Sequence, residues 1–122
     1  MAMILIAEDE PTLAEMLGQH LKNKGFDVTI ASDGTQMLLL AKEVKPNLIV
    51  ADVMMPGTYG TSAYKMLQED PATQGIPVLF LTAITPEQAA ALIPEGPGVR
   101  VMHKPAEMKE FVAAVESMLH EV

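Results

Sequence analysis

Apolar residues gather in five short segments, with amphipathic stretches between them. The first segment is Met3–Ala7. The second, Asp27–Ser32, is weaker: Val28 and Ile30 alternate with polar neighbours, which is the pattern of an edge strand. The third is Asn47–Asp52, the fourth Pro77–Ala83 and the fifth Val99–His103. The first, third and fourth are nearly continuous apolar runs, as strands covered on both faces must be.

The stretches between them carry helical stripes. Leu13, Met16, Leu17 and Leu21 recur at helical spacing, and Gly25 supplies a stop. Met37, Leu40, Ala41 and Val44 form a second stripe, halted before Pro46. Ala63, Met66 and Leu67 mark a third, ended near Asp70-Pro71. Pro86–Ile93 is a short fourth, closed by the breaker-rich run from Pro94 to Gly98. Met108, Phe111, Val112, Val115 and Leu119 form the last. Core packing accounts for each stripe. Strand alternating with helix predicts an α/β fold: a doubly wound, five-stranded parallel sheet with right-handed crossovers and five helices, in three layers. No repeat, low-complexity segment or linker divides the chain, so residues 1–122 are expected to form one domain. Ligands of such sheets bind beyond the carboxyl ends of the strands, where the strand order reverses, and the first and third strands are expected to flank that point.

Composition narrows the class. Hydrophobic residues make up 49% and charged residues 20%, a globular balance. No apolar run approaches the roughly 18–20 residues that cross a bilayer, and the N-terminus lacks the basic region of a secretory leader. Cysteine is absent, which excludes disulfides and thiolate metal sites. These features point to a cytoplasmic protein with no membrane partner. The net charge of −8 argues against direct nucleic-acid binding and favours proteins or cations as partners.

The run Met3–Pro11 then poses a problem of chemistry, because five apolar residues lead straight into Glu8, Asp9 and Glu10. The predicted topology supplies an answer. Glu8 and Asp9 leave the end of the first strand, and Asp52 closes the third. Acids that converge repel one another, which favours a bound cation or a raised pKa. Oxygen ligands with room for water suit Mg²⁺. Glu10 is expected simply to meet solvent. Thr82 ends the fourth strand with a hydroxyl, and Lys104 follows the fifth with an ammonium. Pro105 is expected to open the last helix. A cation, an ammonium, a hydroxyl and a carboxylate nucleophile are the parts of a phosphoryl-transfer site. Asp52 is the best nucleophile, because it sits at the end of a central strand. The turn that follows it, Val53–Gly57, can aim a backbone carbonyl at a metal.

These residues resemble the receiver domains of bacterial two-component response regulators, over essentially the whole chain. The matching motifs are Glu8-Asp9, the run from Asp52 through Met55-Pro56 to Gly60, Thr82-Ala83 and Lys104-Pro105. The resemblance implies a flavodoxin-like, CheY-like α/β/α sandwich. It implies that Asp52 accepts a phosphoryl group from a sensor histidine kinase or phosphotransfer protein. It also implies Mg²⁺ on Asp9, Asp52 and the Met54 carbonyl, with Glu8 acting mostly through water, and phosphoryl oxygens held by Thr82 and Lys104. Such a domain catalyses only its own phosphorylation and dephosphorylation, and passes the signal to a downstream effector protein or domain. The chain ends soon after the fifth helix, so a stand-alone receiver and part of a longer protein are both open. Val101 stands where many family members carry an aromatic residue that swings inward on activation, so output here is expected to use other repacking. Apolar Met54 and Ile84 flank the acceptor and cannot orient water, so self-dephosphorylation is expected to be slow.

Other readings remain at this point. A Mg²⁺-dependent phosphohydrolase often uses a second acid two residues after its nucleophile, but position 54 is Met. A flavin carrier of the same fold cradles phosphate in a hydroxyl- and Gly-rich first loop, whereas this loop is Glu8–Pro11. A degenerate receiver binds partners without being phosphorylated. His20, His103 and His120 have no metal-site spacing.

Overall fold

The computed structural model of the 122-residue chain describes residues 2–53, 60–93, 96 and 98–120. Its elements are β1 (Met3–Ala7), α1 (Pro11–Asn23), β2 (Asp27–Ala31), α2 (Gly34–Val44), β3 (Leu48–Ala51), α3 (Gly60–Glu69), β4 (Val78–Thr82), α4 (Pro86–Leu92), β5 (Val99–His103) and α5 (Met108–His120). The strands form one parallel sheet in the order β2-β1-β3-β4-β5. Order reverses between β1 and β3, and β2 is an edge, both as expected.

The apolar runs of the central strands divide by parity. Leu5, Ala7, Ile49, Ala51, Val78 and Phe80 face one side and pack with Met37, Ala41, Ala63, Leu67 and Ala89 of α2, α3 and α4. Ile4, Ile6, Leu48, Val50, Leu79 and Leu81 face the other and pack with Leu17, Leu21, Phe111, Val112 and Val115 of α1 and α5. Strands covered in this way have no polar face, which is why they read as unbroken hydrophobic runs. Gly18 lets α1 lie close to the sheet: a Cβ there would come within 3.4 Å of the Val28 side chain.

Local chemistry sets the helix ends. Pro11 opens α1, and Gly25 follows its end at φ 92°, with its N–H on the Lys22 carbonyl. Asp33 caps α2 by accepting from Gln36 N. Thr85 and Gln88 form a reciprocal capping box on the short α4.

Several expectations change. The strands are shorter than the apolar segments: Ser32, Asn47, Asp52, Pro77 and Ala83 lie outside them. Asn47 instead accepts a hydrogen bond from Met3 N at 2.8 Å. Met16 and Met66 are 42% and 52% exposed, so they lie outside the core; Ala14 joins it beside Ala63, which is buried as expected. Pro105 does not open the last helix. It follows Lys104 through a cis peptide bond, and α5 starts at Met108. The turn after Val53, the Met54 carbonyl and most of Pro94–Gly98 lie outside the described residues.

Candidate phosphoryl-transfer site at the carboxyl edge of the sheet

Backbone hydrogen bonds tie the ends of the strands into one rim. Glu8 N donates to Ala31 O, Asp52 N to Ala7 O and Lys104 N to Thr82 O, at 3.0, 3.1 and 2.7 Å. Parity then places the acids. Glu8 continues the alternation of Ile4 and Ile6, and Asp52 that of Leu48 and Val50, so both leave on the same side.

The Lys104 ammonium confirms the convergence. Its Nζ donates to Glu8 Oε1 at 2.7 Å and to Asp52 Oδ2 at 2.9 Å. Glu8 and Asp52 are only 4% and 8% exposed, whereas Asp9 is open to solvent. Carboxylate oxygens of Glu8, Asp9 and Asp52 all lie within 4.8 Å of one another. Three acids against one lysine leave an excess of negative charge in a partly dry cup. Hard oxygens at this spacing, with one member open to solvent, fit a hard divalent cation that keeps several waters.

The electrostatics express this crowding. Burial raises the Glu8 pKa, and so does a hydrogen bond with Asp9, whereas Lys104 and the Glu10 N–H pull it down without cancelling the rise. Burial acts to lower the Lys104 pKa, but its bonds to Glu8 and Asp52 and their charges outweigh burial and hold it above the usual 10.5. The Glu8 shift has a consequence for stability. A carboxyl whose pKa is raised in the fold stabilises fully below its unfolded value, and that contribution is lost as pH rises through the folded value. In metal-free buffer, the stability of the wild type relative to Glu8→Gln is therefore expected to fall as pH climbs from below 4.5 towards neutrality, read by urea midpoints. A constant difference across that window contradicts the assignment.

Glu10 does more than meet solvent. Its carboxylate accepts from Thr12 N and Leu13 N at 3.2 and 2.7 Å and so caps α1. The only advance signal was its place just before Pro11, because Glu is not among the favoured cap residues. Thr82 does close β4 on the rim, but it is 0% exposed, and its hydroxyl accepts from Ile84 N at 3.3 Å. Ile84 is itself held from β5, where His103 Nδ1–H donates to its carbonyl at 3.2 Å. Nothing in the sequence around His103 signals this contact, since the histidines have no metal-site spacing. A buried Thr73, whose hydroxyl donates to Leu67 O at 2.7 Å, stays remote from the site and fastens the turn after α3.

The rim therefore unites Glu8, Asp9, Asp52 and Lys104 by direct contact, and Thr82 by backbone pairing. Comparison with known proteins identifies the family. The family model described as response regulator receiver domain matches residues 4–116. The DNA-binding response regulator MtrA of Mycolicibacterium smegmatis is 37% identical over 116 residues, covering 95% of this chain and 50% of that protein. The chain thus spans about half the length of the curated relatives it matches. Among solved structures, the receiver domain of Francisella response regulator 1452 superposes with a TM-score of 0.88 at 26% identity, covering 99% of this chain and 98% of that one. The signal receiver domain of a histidine kinase from Syntrophus aciditrophicus gives 0.89 at 28%, covering 100% and 92%. With four strand ends supplying acids, hydroxyl and ammonium to one edge, and the family match running through nearly every element, this chain belongs to the response regulator receiver domains of two-component signalling.

Proposed function

We propose that residues 1–122 act as one receiver unit in which Asp52 is the phosphoryl acceptor. The single observation that carries this reading is the Lys104 ammonium, which bridges Asp52 and Glu8 while Asp9 lies in the same acidic cup. An Asp52 carboxylate oxygen attacks the phosphorus of the donor. The new O–P bond forms as the donor's own bond to phosphorus breaks, and the donor group leaves with that electron pair. With a sensor histidine kinase or phosphotransfer protein as donor, the leaving group is an imidazole. Lys104, already against Asp52, balances charge on the phosphoryl oxygens. The Thr82 hydroxyl takes another oxygen by giving up Ile84 N.

Mg²⁺ is the cation proposed for the cup. Asp9 and Asp52 would supply side-chain oxygens and Met54 its carbonyl, with Glu8 acting mostly through water, and the bound ion would neutralise developing phosphoryl charge. The domain works as a switch for a downstream effector protein or domain, located in the cytoplasm, and turns over no separate substrate. Among the described residues, no helix is long and apolar enough to cross a membrane.

Incubation with a small acyl-phosphate donor and Mg²⁺ tests the reading. A mass gain of one phosphoryl group, mapped to the peptide that holds Asp52 and suppressed by a chelator, is the expected result. No gain, or steady turnover of the donor without a modified protein, removes the proposal.

A further inference from the structure

We infer that His103 is a positioning residue for the phosphorylation site, a brace that holds the β4–α4 connection in its resting arrangement. The inference deepens the proposed function and rests on that reading of the site.

The connection between Thr82 and α4 is only three residues long, Ala83 to Thr85, and Ile84 is its midpoint. Both backbone groups of Ile84 are engaged. Its N–H donates to the Thr82 hydroxyl at 3.3 Å, and its carbonyl accepts from His103 Nδ1–H at 3.2 Å. The next residue, Thr85, is the N-cap of α4. A displacement of Ile84 therefore reaches both the Thr82 hydroxyl at the end of β4 and the first turn of the helix.

The sheet explains why position 103 performs this task. His103 pairs with Thr82 in the β4–β5 ladder, so its ring stands beside the chain that leaves β4. Val101, two residues earlier, is half-buried against the cluster that contains Ala89 and Ile93, and it has no polar atom to reach the connection. Val101 packs and His103 bonds: the two residues divide the link between β5 and α4.

The two bonds at Ile84 act on Thr82 together. While His103 holds the carbonyl, the N–H of the same residue stays presented to the Thr82 hydroxyl. Withdrawal of the imidazole lets Ile84 move and releases that hydroxyl for a phosphoryl oxygen. A conformational bias of this kind needs a contact that favours one arrangement over the other, and His103 supplies it for the resting one.

The test compares the wild type with His103→Leu, which keeps bulk and removes the donor, and with His103→Asn, whose side-chain amide can replace Nδ1–H. Amide hydrogen exchange is measured on the unmodified proteins, and phosphoryl incorporation from a small acyl-phosphate donor is timed. In His103→Leu, exchange from Ile84 through Leu92 is expected to quicken about threefold, the scale of one exposed hydrogen bond, with incorporation faster by a similar factor. His103→Asn is expected to restore both. Unchanged exchange in His103→Leu, a His103→Asn protein that behaves like it, or faster exchange spread evenly over all strands each overturns the brace. If even the wild type takes up no phosphoryl group, the acceptor reading fails, and exchange alone then decides whether His103 holds Ile84.

Discussion

Asp52→Asn is expected to abolish phosphoryl incorporation entirely while leaving a folded protein. The reason lies in the difference between a carboxylate and an amide. The nucleophile must place an anionic oxygen on phosphorus, and the asparagine amide offers neither the charge nor a stable product. The surrounding structure tolerates the exchange. Lys104 keeps its 2.7 Å bond to Glu8, and the neutral side chain removes one of three crowded negative charges. Stability is accordingly expected to stay within about 1 kcal/mol of the wild type, the scale of one hydrogen bond. Intact-mass spectra after exposure to donor and Mg²⁺, paired with urea unfolding, read both quantities. A variant that still gains the group elsewhere in the acidic cup contradicts the assignment of Asp52. A variant that fails to fold shows that Asp52 serves structure before chemistry.

The largest loss of stability is expected at Phe80. This residue is wholly buried at the centre of β4, between Ala51 of β3 and Val101 of β5 in register. Its ring meets Tyr64 of α3 edge-on, with centroids 5.7 Å apart. Truncation removes apolar contacts on both flanks and leaves a cavity that the stiff sheet cannot close. Phe80→Ala is therefore expected to cost about 3–5 kcal/mol, a large share of the roughly 5–15 kcal/mol that holds such a domain together. Phe80→Leu, which fills most of the space, is expected to cost clearly less. Urea midpoints at constant slope check both. Near-equal effects of the two variants would show that ring-specific contacts outweigh volume.

Most of the sheet could be read from the chain because its signal is collective. The parity of Ile4, Ile6, Leu48 and Val50 against Leu5, Ala7, Ile49 and Ala51 is fixed by water on no side, and every residue of these strands repeats it. The acids follow from the same rule, since Glu8 and Asp52 continue one parity into the loop. What escaped was decided by single contacts. Asn47 left the strand to meet Met3 N, and Glu10 turned from solvent to the first amides of α1. Met16 and Met66 fit a helical stripe by spacing, yet they fall at its solvent margin, where smaller Ala14 and Ala63 already fill the contact with the sheet. Pro105 looked like a helix opener because proline often is, but α5 begins only at Met108. The ring of His103 at the end of β5 has no signature in the sequence, because its partner is a backbone carbonyl nineteen positions away, in the connection after β4.

The three consecutive acids that follow β1 divide into three separate tasks: Glu8 turns inward to the lysine, Asp9 forms the solvent-open side of the acidic cup, and Glu10 turns onto the helix. The strand before them and Pro11 after them are both anchored, so the joint has no slack. Adding or deleting one residue there would hand every task to the wrong neighbour. The length of this joint, rather than any one of its side chains, is what keeps the site and the helix cap in step.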